Sequence, residues 1–88
     1  MSQESLRESL DALRAEVDKL ESGDREARRR LDALIADIET RLAAPANAEQ
    51  HETLVENIRD TITEFEVSHP RTTGILNHIM VTLANMGI

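Results

Sequence analysis

Glu66 and His69 are spaced i, i+3, the interval at which ferritin-like helical bundles present a carboxylate and an imidazole to a pair of metal ions. Such a site needs further carboxylates from facing helices, and Glu56, Glu64 or symmetry-related copies are the candidates. Pro70 follows His69 directly and is expected to break the helix, so the pair need not share a face. A metal-binding bundle using Glu66 and His69 is therefore the second reading. His51-Glu52 begins like the zinc-protease HExxH, but Val55 stands where the second imidazole is required. His78 falls on the polar side of its helix near Thr82 and Asn85, where hydrogen bonding is the simpler role. No Ser, His and acid grouping and no glycine-rich phosphate loop is present. No catalytic residue, cofactor or firm metal ligand is assigned, and the protein is expected not to be an enzyme.

Arg25, Arg28, Arg29 and Arg30 form the one basic cluster, which could dock an acidic partner or a phosphate. Asp24 with Arg28, Glu26 with Arg30, and Arg28 with Asp32 are i, i+4 pairs, so neutralisation on a solvated face accounts for the cluster better.

The balance of charge narrows the partners. Ten Lys and Arg against 17 Asp and Glu give a net charge of -7, which repels phosphate backbones. One Phe and no Trp or Tyr leave almost no platform for stacking bases. Nucleic acid is excluded on both counts. The opening MSQESLRESL has no basic region followed by an apolar one, so no secretory signal is read. No apolar run approaches the roughly 18 residues that span a bilayer, and the last helix lacks the Lys or Arg of a membrane-surface anchor. A soluble, cytoplasmic protein is expected, and the absence of cysteine agrees with a reducing compartment.

Four helical segments carry these residues. From Leu6 the apolar side chains step 4, 3, 4, 3 through Leu10, Leu13, Val17 and Leu20, a heptad with a narrow seam. In a parallel pair its flanking contacts would be Ser9 with Arg14 and Glu16 with Glu21, which disfavours a parallel zipper. At Ser22-Gly23-Asp24 a left-handed Gly and a capping Asp would make a turn, although the heptad phase runs through it as one continuous helix would show. The second segment adds Ile35 and Leu42 to its seam, a stripe wide enough for a bundle. Pro45 ends it, and Asn47 with Gln50 has the form of a capping box opening the third. Ser68 is expected to cap a fourth with Pro70 in its first turn, and Gly87 to close it. The approximate helices are 3–21, 24–43, 48–67 and 69–86 in a single domain spanning residues 1–88.

The fourth segment is the least polar. Its one charged residue is Arg71, and Leu76, Ile79, Met80, Leu83 and Met86 lie on an arc too wide for a half-exposed helix. An 88-residue chain buries only about 60% of its unfolded surface, and without disulfides self-association is the remaining supplement. The expected class is all-α, a helical hairpin or bundle with coiled-coil-like heptads, completed as a homo-oligomer through those five residues. An unidentified protein partner is compatible with the same reading.

Phe65-Glu66, His69-Pro70, Leu76-Asn77 and the terminal Leu83-Ala84-Asn85-Met86-Gly87-Ile88 together resemble a bacterial family catalogued as domain of unknown function 4404. Asp37-Ile38 and the leucine heptads of the first half are also similar, so the resemblance covers essentially the whole chain. Thr72 stands where a Leu is expected after the His-Pro pair. The resemblance implies a small all-helical protein and supplies no activity, cofactor or site residue.

Overall fold

The computed structural model describes residues 2–21, 23–44 and 47–86, and of residues 2, 3 and 86 the backbone alone. Helices α1 (Ser2–Asp18), α2 (Arg25–Ala43), α3 (Ala48–Phe65) and α4 (Pro70–Met86) account for nearly all of it. Each is 17 to 19 residues long, and the connections are too short for anything but antiparallel neighbours. They close into a ring: α1 packs on α2, α2 on α3, α3 on α4 and α4 back on α1, while the diagonal pairs do not approach. The architecture is an all-α, up-down-up-down bundle.

The heptads explain the closure. Leu6, Leu10, Leu13 and Val17 of α1, Leu31, Leu34, Ile35 and Ile38 of α2, Leu54 and Ile58 of α3, and Leu76, Ile79 and Leu83 of α4 form one buried cluster. Eight of the core's large side chains, among them Leu6, Leu31, Ile58 and Ile79, are less than 2% exposed. No charged residue lies in the core among the described residues. Thr61, Thr72 and Thr73 are its polar members. Thr61 donates to the Asn57 carbonyl at 2.8 Å and Thr73 to the Pro70 carbonyl at 3.1 Å, so neither hydroxyl is stranded.

Local signals set the helix ends unevenly. At the start of α3 the capping box closes in both directions: Gln50 N–H donates to Asn47 Oδ1 at 2.8 Å, and Asn47 N–H to Gln50 Oε1 at 3.3 Å. At the first break a turn is present, but its chemistry differs from the expectation. α1 ends at Asp18 rather than near 21. Its last turn tightens through Lys19 N–H to Glu16 O and Leu20 N–H to Val17 O, both 3.1 Å. Arg28 then reaches back from α2 and donates to the Val17 carbonyl at 3.1 Å, satisfying an end that has no glycine cap. Asp24 is the N-cap residue of α2, yet its side chain makes no capping bond. Gly23 is not in the left-handed region and an added Cβ would meet nothing within 4 Å, so the turn does not require glycine. Ser22, Pro45 and Gly87 lie outside the described residues.

The third connection is a correction. α4 does start at Pro70, where the missing N–H costs nothing. Ser68, however, is exposed and makes no side-chain hydrogen bond to a described residue. His69 takes the capping position, accepting from Thr73 N–H at 3.1 Å through its carbonyl while its own N–H donates to Phe65 O at 2.8 Å. Asn47→Ala should therefore lower stability by about 1 kcal/mol and Ser68→Ala should leave it unchanged, as read from paired thermal melts. A loss at Ser68 equal to that at Asn47 would mean that the serine caps after all.

Candidate functional site

Each feature that suggested chemistry has a definite place. Glu66 closes α3 as its exposed C-cap residue, and His69 precedes α4, so the two sit on a turn rather than one helical face. His69 is half-buried with its ring 6.0 Å from that of Phe65 and tilted by 57°. Glu56 and Glu64 do not complete a set with them. No group of three or more His, Asp or Glu among the described residues is arranged to hold a metal ion. His51 is half-buried near the start of α3, and His78 is exposed on α4, its carbonyl accepting from Thr82 Oγ1 at 2.8 Å.

The arginine cluster is dispersed, and the expected i, i+4 pairs are not the ones formed. Arg28 points to the end of α1, as above. Arg29, not Arg30, pairs with Glu26, at 3.0 Å. Arg30 crosses to α3 and pairs with Glu64, with Thr61 Oγ1 3.5 Å from its other amine. Three neighbouring arginines thus serve three different helices, a division the spacing along one helix could not reveal. Arg14 likewise ties α1 to Glu39 of α2. These pairs are near 40% exposed, so each contributes little to stability and more to register between helices.

Shallow grooves follow the seams of the bundle. That between α2 and α3, about 240 Å³, is lined by Asp37, Arg41, Glu49, Thr53 and Asn57 among others. Arg41 donates to the Gln50 carbonyl at 3.0 Å, while its Nε is buried without a partner among the described residues. At the closed end, Glu16, Glu21, Asp24, His69 and Arg71 border a second groove of about 280 Å³. The carboxylates and cations are interspersed in both, and neither concentrates one charge on one point.

Of the five residues expected to join two chains, three are enclosed within a single chain. Leu76 and Ile79 are 0% exposed and Leu83 1% within a single chain, covered by the packing of α4 against α1 and α3. Met80 is half-buried against the same core, and the side chain of Met86 lies outside the described residues. The wide arc of α4 is wide because two helices flank it, so no second copy is required to cover it.

What remains available on α4 is its outer face. Gly74, Asn77, His78, Val81, Ala84 and Asn85 are exposed there, and no charged residue occurs from 72 to 86. Val81 is 47% exposed and, with Val67 at 92% in the preceding turn, is one of two large apolar side chains left open among the described residues.

The fold and these surfaces define a small four-helix bundle with an apolar core and a charged exterior that is interrupted along α4. The chain belongs to the family described as Domain of unknown function (DUF4404), whose model matches residues 6–88. No curated protein and no solved structure matches it. Among the described residues no helix is long and apolar enough to cross a membrane.

Proposed function

We propose that this protein is a non-enzymatic, self-associating structural or protein-interaction module of the cytoplasm, and that it works through its outer surface. The observation that supports this reading is the face of α4, where Val81 stands 47% exposed in a stretch without charge on a chain of net charge -7. An exposed helix on an acidic protein normally carries Lys or Glu, which keep copies apart. The other three helices do so, with Glu49, Glu52, Glu56, Asp60 and Glu64 along the outside of α3 alone. Leaving one face neutral lowers the repulsion between like-charged chains at that face and nowhere else. The heptad leucines are consumed inside the chain, so association adds to a formed bundle instead of completing it.

Sedimentation velocity across micromolar to millimolar concentration tests the reading. A folded species that shifts from the 9.9 kDa monomer to a heavier form as concentration rises is the expected result. A monomer throughout the range would remove self-association from the account.

A further inference from the structure

We infer that the groove at the closed end of the bundle binds a small zwitterion, a free α-amino acid, with its carboxylate on the first turn of α4 and its ammonium on the α1–α2 turn. Thr72 carries the inference. It is 3% exposed and lines this groove. Its hydroxyl makes no hydrogen bond to a described residue, whereas those of Thr61 and Thr73 do. A buried hydroxyl left unpaired is destabilising, and the groove is the side open to a partner. The backbone supplies further donors at the same place. Thr73 N–H donates to the His69 carbonyl, but the Arg71 and Thr72 amides find no acceptor among the described residues before α4. Arg71 adds an exposed guanidinium that pairs with no carboxylate among the described residues. Amides, hydroxyl and guanidinium at the start of a 17-residue helix make a wall of donors suited to a carboxylate.

The opposite wall selects the ligand. Lys19 lies 3.2 Å from Glu16 and neutralises it. Glu21 and Asp24 border the same groove and enter no ion pair among the described residues, and the Asp24 side chain is not used in capping α2. A plain anion set against Arg71 would face both of these carboxylates. A bare metal ion would lack ligands, since no three groups among the described residues are arranged for one. A molecule carrying both charges a few bonds apart meets each wall with its complement. Leu20 and Pro70 add apolar lining for a short side chain. The groove holds about 280 Å³, below the roughly 300–1,000 Å³ of sites for drug-sized ligands, so the occupant is small. With so few contacts in a shallow site, its dissociation constant is on the order of millimolar. The site makes no use of the outer face of α4 and stands apart from self-association.

The test is a titration of the isotope-labelled full chain, followed by nuclear magnetic resonance of its amides at matched ionic strength. The probes are L-alanine, propionate and ethylammonium, the last two being L-alanine without its ammonium and without its carboxylate. The expected result is a saturable shift of the Arg71 and Thr72 amides with L-alanine, and a dissociation constant at least about tenfold higher for either half. Thr72→Val removes the hydroxyl and should raise the L-alanine constant about tenfold. Asp24→Asn should raise it too while leaving propionate no weaker. Thermal melts without ligand check that both variants fold, and the comparison of the three probes on the wild-type chain needs neither. Propionate or inorganic phosphate binding as tightly as L-alanine would reduce the site to a helix end that takes any anion, and overturns the inference. A wild-type chain with no saturable shift overturns it as well, as do folded Thr72→Val and Asp24→Asn variants that both bind L-alanine like the wild type.

Discussion

Leu83→Glu is expected to leave the chain unfolded at every protein concentration. Leu83 is 1% exposed, and its neighbours in the cluster come from all four helices. An ionised carboxylate placed there has no described cation or buried donor to receive it, and burying an unpaired charge costs several kcal/mol even after relaxation. That is comparable with the whole stability of a small domain, which lies at the low end of about 5–15 kcal/mol. Had Leu83 been the contact between two chains, the same substitution would first have produced folded monomers or a melt that recovered with concentration. Far-ultraviolet circular dichroism over a wide concentration range separates the cases. A folded monomeric variant would show that Leu83 is not covered by its own chain.

That contrast marks the limit of the heptad pattern. Periodicity tells which side of a helix is apolar, and Leu10, Leu31, Ile58 and Leu76 are all where a 3.6-residue repeat places a core. It does not tell what lies opposite. The arc from Leu76 to Leu83 was equally compatible with a second copy and with two helices of the same chain, and the choice depends on ring closure, a long-range property. The same distinction separates Asn47 from Ser68. The capping box at Asn47 involves residues three apart and was legible, whereas Ser68 has the right chemistry on a turn that gives the capping position to His69. Arginine pairing failed in the sequence for a related reason. Arg28 and Arg30 find their partners on α1 and α3, across seams that spacing within α2 cannot describe.

The absence of charge from 72 to 86 is legible in the sequence, and burial accounts for only part of it. Helical geometry gives α4 two sides, and the apolar arc explains only the inner one. Gly74, Asn77, Val81, Ala84 and Asn85 occupy the other, and their lack of charge needs a separate cause. Val81, 47% exposed, divides the two, since a residue needed by the core would have been covered.

Ile79→Ala should cost about 2–5 kcal/mol and Ile79→Val about 0.5–1.5 kcal/mol. Ile79 is 0% exposed and belongs to the one cluster that all four helices share. The larger deletion removes both the transfer energy of the lost carbons and the contacts of the side chains around the void, which helices on both flanks limit in their collapse. Because the core is single, the loss should appear as one cooperative transition moved to lower denaturant, with the slope unchanged. Urea titrations followed by circular dichroism and by hydrogen exchange of the α1 amides provide the check. If α4 melted first while α1, α2 and α3 kept their protection, the ring would be a three-helix unit with a loosely attached fourth. Ile79→Ala would then cost less than 1 kcal/mol in the stability of the remainder.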